Sequence, residues 1–208
     1  MSKLHTIRTF LAVNVSIETT RKITAFQDQL KEFFRAETDR VSWVPSANIH
    51  QTIRFFGDVD PELTEAVEAA MGRASKSIAS FSVRAVGLDA FPNAQHPRVL
   101  WVGLRDEDGG LEMLFSAVEV ELEQVGFARD SRGLSPHLTI GRVRHSDRDI
   151  SDLVELNSDK DFGVSRVEEC VLYESVLHRK GAEYRVLFRV PLIATPSSDA
   201  PLTGLRSD

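Results

Sequence analysis

One four-residue pattern occurs twice in this chain, and its two copies constrain the fold more than any other feature of the sequence. Threonine follows two residues after histidine, and an aliphatic residue comes next, in His50-Gln51-Thr52-Ile53 and in His137-Leu138-Thr139-Ile140. Only these two of the six histidines fit the pattern, which chance would produce in well under about 1% of such chains. The repeat therefore predicts two related lobes.

Hydrophobic periodicity places the two copies in equivalent surroundings. In the first half, a β-rich segment over residues 6–15 precedes apolar residues at helical spacing over residues 23–33. In the second half, a strand over residues 99–104 precedes a helical pattern over residues 111–125. Each half then continues with a strand that contains the histidine, a second helix and a further strand.

This order of elements predicts a single domain made of two facing lobes, roughly residues 1–92 and 93–194, and it leaves open an exchange of terminal strands between them. Two long β segments, residues 162–177 and 184–193, are expected to complete the second lobe. Residues 195–208 have the Pro, Ser and Asp content of a flexible tail without chemistry.

Composition and charge limit the kinds of partner. A chain of 208 residues with 42% hydrophobic and 27% charged residues is typical of a globular protein with a full core. A net charge of −6 argues against a surface that coats long nucleic acids, but a local cationic pocket for one nucleotide end remains compatible with it. Because no apolar run approaches a membrane span and the first ten residues do not resemble a signal peptide, we expect a cytoplasmic protein with no membrane partner.

The repeated motif suits phosphate chemistry. Residues i and i+2 of a strand point to the same face, so each copy presents an imidazole beside a hydroxyl group. One imidazole of His50 and His137 can take a proton from water while the other gives a proton to a leaving oxygen. The hydroxyls of Thr52 and Thr139 can hold phosphate oxygens while negative charge builds on them. This arrangement requires no metal and no cofactor.

Other interpretations of these residues have less support in the sequence. A single histidine of this kind is more often a hydrogen-bonded polar residue on a half-buried strand, and the duplication is what favours catalysis. A zinc site would need further ligands, yet the chain has no His-x-x-x-His, no Cys-x-x-Cys and no carboxylate beside either motif. Gly109-Gly110 lacks the spacing of a phosphate-binding loop. Cys170 lies in an apolar alternation and is predicted to be a buried strand residue.

The two motifs and their flanks resemble the 2H phosphoesterase superfamily and, within it, the RNA 2′,3′-cyclic phosphodiesterase family, also called the LigT-like or 2′–5′ RNA ligase family. The similarity extends over nearly the whole chain ahead of residue 195. It includes residues 8–13, 43–45, 50–57, 98–103, 136–142 and 172–175, and Tyr184. The resemblance implies an α+β fold with pseudo-two-fold symmetry, in which two antiparallel sheets line a central cleft and the helices lie outside.

The resemblance also implies an activity, the hydrolysis of a terminal 2′,3′-cyclic phosphate on RNA to a 2′-phosphate. Some members of the family also join RNA ends through a 2′–5′ linkage, which is the reverse reaction. His50, Thr52, His137 and Thr139 match the catalytic residues of the family one for one. Spacing does not distinguish the acid from the base; the resemblance implies that His50 protonates the leaving 3′ oxygen and that His137 activates water. A monomer that binds RNA 3′ ends or small cyclic nucleotides is expected.

Two more positions match nucleotide-binding residues of the family: Phe55 packs on the base, and Arg142 contacts the nucleotide. Simple alternation puts both on the strand face opposite their histidines. A role for Phe55 in the core therefore explains its position as well as a role in binding the base. A bulge near Gly57 or Gly141 would turn the side chains towards the site.

The remaining details concern the flanks of the motifs. The family often has leucine where Gln51 and Ile53 stand, a departure expected to alter only the packing behind the strand. Arg54 and Arg132 are weaker candidates than Arg142 for binding the phosphate.

Two alternative functions remain open at this point. One keeps the site but changes the substrate to a small cyclic nucleotide, an ADP-ribose cyclic phosphate or a 2′–5′ oligoadenylate. The other is a module without catalysis that binds RNA ends, in which the histidines only hold phosphate. The complete His and Thr set in both motifs argues against the second.

Overall fold

The computed structural model describes residues 6–178 and 181–195. The order of strands and helices along this part of the chain is close to the one that periodicity predicts. The elements are β1 (Ile7–Asn14), α1 (Ile17–Phe33), β2 (Arg40–Trp43), a 3₁₀ helix (Ser46–Asn48), β3 (His50–Val59), α2 (Leu63–Ser75), β4 (Phe81–Phe91), β5 (Val99–Arg105), α3 (Gly110–Gln124), β6 (His137–His145), α4 (Ser151–Leu156), β7 (Asp161–Val167), β8 (Glu169–His178) and β9 (Gly181–Pro191).

The strands form two antiparallel sheets. One sheet has four strands in the order β3-β1-β8-β9, and the other has five in the order β2-β6-β5-β4-β7. The two histidine strands, β3 and β6, belong to different sheets. β3 pairs with β1, the strand before α1, and β6 pairs with β5, the strand before α3. The predicted α+β fold with two antiparallel sheets is confirmed.

The sheets do not follow the predicted division of the chain near residue 92. β2 and β4 come from the first half but lie in the five-stranded sheet, and β8 and β9 come from the second half but lie in the four-stranded sheet, where β8 pairs with β1 and β9 pairs with β8. The predicted β segment over residues 162–177 is two strands, β7 and β8, in different sheets. Periodicity reports which face of a strand is apolar but not which strand it pairs with, so the sequence left an exchange of terminal strands open without deciding it. The single-domain assignment stays a prediction.

The ends of α1 and α3 are fixed by residues that suit the backbone at a helix end. At the start of α1 the Ser16 hydroxyl accepts a hydrogen bond from the backbone N–H of Thr19, as expected of an N-cap serine. α3 ends just before Gly126, which has a φ of 94° and terminates the helix as the sequence predicts. The helical spacing of Leu63 with Val67, Ala70 and Ala74 predicts that Leu63 also faces inward from α2, but this prediction is wrong: Leu63 is the first residue of the helix and is 41% exposed.

The core includes the residues that alternate with the motif residues. Ile53, Leu138 and Ile140 are buried beneath the histidine strands. Cys170 is fully buried on β8, as predicted, and burial raises the pKa of its thiol to about 12. Since the thiolate is the reactive form, this cysteine is a packing residue rather than a nucleophile.

The described part of the chain ends at Thr195, which is held in place by hydrogen bonds. Its hydroxyl lies 2.9 Å from the Ser80 hydroxyl, and its carbonyl accepts a hydrogen bond of 2.7 Å from the Arg166 guanidinium. The rest of the predicted tail, residues 196–208, lies outside the described residues. Within residues 6–178 and 181–195, no helix has the length and apolar character needed to cross a membrane.

Candidate active site

The two motifs occupy the same position on their strands. His50 is the first residue of β3 and His137 the first residue of β6. Thr52 and Thr139 follow on the same faces, as the alternation predicts, and all four side chains line one cleft between the sheets. The structure therefore brings together the four residues that the repeated motif singles out.

A β-bulge in β3 brings Phe55 to the same face. Adjacent residues of β1 pair with Thr52 and with Arg54, so Ile53 is an extra residue in the ladder. Ile53 and Arg54 are consequently both buried, and Phe55 returns to the face of His50, where it is 38% exposed. The bulge therefore explains why Phe55 faces the cleft, although simple alternation places it on the opposite face of the strand.

A matching bulge in β6 does the same for Arg142. Adjacent residues of β5 pair with Thr139 and with Gly141, so Ile140 is the extra residue. Ile140 and Gly141 are both buried, and Arg142 turns to the face of His137. The two strands thus share a bulge as well as a motif.

The two glycines named as possible turning points differ in their importance. Gly141 lies at the bulge itself, and a Cβ atom there would come within 3.2 Å of the Val41 side chain and 3.3 Å of Trp43. Gly57 lies beyond the bulge that turns Phe55, although its φ of 76° coincides with a second irregularity of the ladder. The expectation for Gly141 is therefore met, whereas the turn of Phe55 occurs earlier than Gly57.

Backbone carbonyl groups orient both imidazoles in the same way. Nδ1 of His50 lies 2.8 Å from the carbonyl oxygen of Asn48, and Nδ1 of His137 lies 2.8 Å from that of Ser135. A carbonyl only accepts hydrogen bonds, so Nδ1 carries the proton in each neutral ring and Nε2 keeps its lone pair. Nε2 of His50 is 3.1 Å from the Thr52 hydroxyl, which can donate to it.

Aromatic side chains enclose His50. Phe10 stacks on the imidazole with 4.8 Å between ring centroids, and Tyr184 approaches edge-on at 5.4 Å. The pKa of His50 is lowered from 6.5 to about 4, chiefly by burial of this kind and to a smaller extent by the charges of His137 and Arg142. The Asn48 carbonyl acts in the opposite direction without reversing the shift. His50 is therefore neutral in the free protein at neutral pH.

His137 has a more open environment. Phe91 contacts it edge-on at 5.2 Å, and Trp101 lies beyond at 6.1 Å. Burial lowers the pKa of His137, with a smaller contribution from the charge of Arg142, while the hydrogen bond to the Ser135 carbonyl raises it. The lowered pKa values thus leave both histidines uncharged at neutral pH in the free protein.

The two-histidine cleft has a volume of about 1190 Å³. It is bounded by both motifs, by the C-terminal part of β8 and by the start of β9. Its cationic side chains include Arg8, Arg142 and Arg144, and the guanidinium of Arg8 lies 4.8 Å from the centre of the Phe55 ring. A protein of net charge −6 therefore has a locally basic cleft, as a site for one nucleotide end requires.

Comparisons with known proteins agree with this geometry. The family model described as LigT like Phosphoesterase matches residues 15–101. A protein of Archaeoglobus fulgidus named RNA 2′,3′-cyclic phosphodiesterase is 33% identical over 181 residues, which are 87% of this chain and 98% of the relative. The protein of the same name from Methanocaldococcus jannaschii is 31% identical over 184 residues, with 87% and 98% covered. The chain belongs to the LigT-like phosphoesterase family.

Solved structures show the same fold. The crystal structure of TT0787 from Thermus thermophilus has a TM-score of 0.76 to this LigT-like chain, with 24% identity, and covers 90% of it and 99% of its own length. The structure of Escherichia coli LigT complexed with 3′-AMP has a TM-score of 0.71, also with 24% identity and the same two coverages. The arrangement of the sheets is thus the fold of LigT-like proteins.

Two arginines considered for phosphate binding in this LigT-like chain have other roles. The buried guanidinium of Arg54 lies 3.2 Å from Glu119 and 3.5 Å from Asp130, and it donates to the Ala128 carbonyl at 2.6 Å. Arg132 pairs with Asp130 at 2.6 Å. Neither lines the two-histidine cleft, so the expectation for both was wrong. For Arg54 the reason is the bulge at Ile53, which moves its side chain from the cleft face to the core.

Several cleft residues were not assigned a role from the sequence. Phe10 and Tyr184 enclose His50, Phe91 contacts His137, and Arg8 and Arg144 add charge. The family resemblance includes the positions of Arg8, Phe10 and Tyr184 but gave them no role, and alternation within a strand gave a second signal, since Arg8 and Phe10 are two residues apart, as are Arg142 and Arg144. Within residues 6–178 and 181–195, no three His, Cys, Asp or Glu side chains come together as a metal site.

Proposed function

We propose that this chain is a 2′,3′-cyclic phosphodiesterase that opens the terminal cyclic phosphate of RNA to a 2′-phosphate. The observation that carries the proposal is that two imidazoles from different sheets, each with its Nδ1 bonded to a backbone carbonyl, line one basic cleft beside two threonines. Relatives with this name that match over nearly their whole length support the same activity.

A side chain is present to accept or donate each proton that moves in the reaction. Nε2 of His137 takes a proton from water as the water oxygen bonds to phosphorus, and the bond from phosphorus to the 3′ oxygen breaks. The imidazolium of His50 gives its proton to that 3′ oxygen, which leaves a 3′-hydroxyl and a 2′-phosphate. The hydroxyls of Thr52 and Thr139 and the guanidinium of Arg142 stabilise the charge on the non-bridging oxygens.

In this scheme His50 must be protonated when substrate is bound. Its aromatic surroundings oppose the charge in the free protein, and they hold its pKa near 4. The negative phosphate of the substrate offsets this effect, because an opposite charge within a few ångströms favours the imidazolium. The proton is thus taken up with the substrate, and His50 does not act as an acid until the cleft is filled.

The assignment of acid and base can be tested with a modified substrate. Sulfur in place of the 3′ oxygen leaves as a thiolate, which needs no proton donor. We expect the His50→Ala variant to recover most of its activity on this substrate, whereas His137→Ala should remain inactive because water activation is still required. Recovery by His137→Ala instead would exchange the two roles.

The locally basic cleft favours nucleotides, and its volume of about 1190 Å³, with lining residues on β8 and β9 beyond the motifs, favours an oligonucleotide end over a mononucleotide. The LigT protein of E. coli has been solved with 3′-AMP, which supports nucleotide binding in a cleft of this fold. A higher kcat/KM for an oligonucleotide with a terminal cyclic phosphate than for 2′,3′-cyclic AMP is expected, and the reverse would favour small cyclic nucleotides. Ligation of RNA ends through a 2′–5′ linkage, a cytoplasmic location and a monomeric state remain predictions.

One assay tests the central proposal. The protein is incubated with 2′,3′-cyclic AMP in EDTA, and the product is compared with 2′-AMP and 3′-AMP by chromatography. We expect 2′-AMP, formed at the rate seen without EDTA, because every step has a side chain to perform it. Loss of turnover on chelation, restored by a divalent ion, would contradict a mechanism without metal. An unchanged cyclic phosphate would favour the binding module.

A further inference from the structure

Gln51 is a buried polar residue that the proposed chemistry does not use. It stands between His50 and Thr52 on β3, but its side chain points to the opposite face of the strand, where the residue is 1% exposed. A buried amide costs free energy unless its oxygen and its nitrogen both find partners. Gln51 finds most of these partners on and beside the other motif strand.

The side chain of Gln51 forms hydrogen bonds between the two motifs. Its Oε1 accepts from the backbone N–H of His137 at 2.5 Å, and its Nε2 donates to the carbonyls of Thr52 at 2.6 Å and Ser135 at 3.3 Å. β3 and β6 lie in different sheets, and no β-ladder joins these two strands. The amide of Gln51 therefore supplies a direct connection where the backbone does not.

The bonded groups are those that orient His137. The carbonyl of Ser135, to which Gln51 donates, also accepts the Nδ1–H of His137 at 2.8 Å. Gln51 thus holds the backbone N–H of His137 and the acceptor that fixes its ring. The second motif has Leu138 at the equivalent position, fully buried and without a polar side-chain atom, so it cannot return the connection.

We propose that Gln51 is a positioning residue that sets the orientation of the His137 imidazole relative to His50. Its effect on turnover rests on the proposed function, since an acid and a base on separate sheets must be held in register at one phosphate. Displacement of a reacting group by about 1 Å can reduce a rate by about 100-fold. A side chain that joins the two sheets directly under the reacting groups limits such displacement.

The Gln51→Leu variant removes the three hydrogen bonds with little change in volume. We expect kcat to fall by about 10- to 100-fold, with KM within about threefold of wild type because the phosphate-binding groups remain. In the free protein, an NMR titration should show the pKa of His137 further below its usual range, because a displaced Ser135 carbonyl favours the protonated ring less. The His50 titration should change little.

Gln27 provides a matched control. It is 2% exposed, and its Nε2 donates to the carbonyls of Val44 at 2.9 Å and of Ile140, on β6, at 2.8 Å. The Gln27→Leu variant therefore also loses buried amide hydrogen bonds to the second motif strand or its neighbour, but it loses none at His137. We expect a similar loss of unfolding free energy and no change in the pKa of His137.

The proposal is overturned if the His137 titration in Gln51→Leu matches wild type, or if Gln27→Leu shifts it equally. The His137 signal is assigned by its absence in His137→Gln. If Gln51→Leu does not fold, Gln51→Met, which keeps the unbranched shape, is used in its place for the comparison of the His137 titration with wild type. The titration needs no substrate, so a protein inactive on cyclic phosphates would refute the proposed function while the orientation of His137 would still be decided.

Discussion

Lowering the pH should destabilise the folded protein through His50. The pKa of this residue is about 4 in the folded protein and 6.5 without the influence of the fold. An unfolded chain therefore binds a proton at His50 more readily than the folded one, and stability is lost as the pH falls below 6.5 towards 4. Proton linkage between these two values gives a loss of almost nothing at pH 7.5 and about 2 kcal/mol at pH 5.

Urea unfolding at pH 7.5 and pH 5 measures this contribution when wild type is compared with the His50→Gln variant. Wild type should lose about 2 kcal/mol more than the variant between the two pH values, because glutamine does not titrate. The comparison is necessary because His137 has a lowered pKa as well and contributes in the same direction.

The measurements at pH 7.5 serve as the control, since His50 is neutral there in both the folded and the unfolded chain. If wild type and variant lost the same unfolding free energy between pH 7.5 and pH 5, the aromatic surroundings would not be excluding the proton. Substrate would then not be needed to supply the charge that protonates His50.

His50→Ala and His137→Ala should each lower kcat by about 10² to 10⁴ and the double variant little more, as steady-state assays of folded protein would show; additive losses would contradict a coupled pair. Thr139→Ala should lower kcat/KM by only about tenfold, because it removes one hydrogen bond to the phosphate and leaves proton transfer intact. A loss as large as that of His137→Ala would show that the Thr139 hydroxyl takes part in proton transfer. Arg54→Met should lower the urea unfolding free energy by about 3 kcal/mol, because it leaves the buried Glu119 carboxylate without its cation, whereas Asp130 keeps Arg132; an unchanged value would show that Glu119 is solvated.

The sequence by itself determined the chemistry of the motifs and the local structure around them. A period of two on a strand puts Thr52 beside His50 whatever the strand pairs with, and a period of 3.6 defines the buried face of a helix. Local rules also placed the end of α3 before Gly126 and Cys170 in the core. These features depend on residues close together in the chain, so the sequence contains all the information they need.

The tertiary structure decided how these pieces meet. The bulges that return Phe55 and Arg142 to the cleft arise because a neighbouring strand pairs across an extra residue, and the same bulge buries Arg54. Gln51 becomes a connection between the motifs only because the fold brings the start of β6 within hydrogen-bond distance of its side chain on β3. Ladder register and the partners of buried polar groups come from segments distant in sequence, which periodicity within one segment does not report.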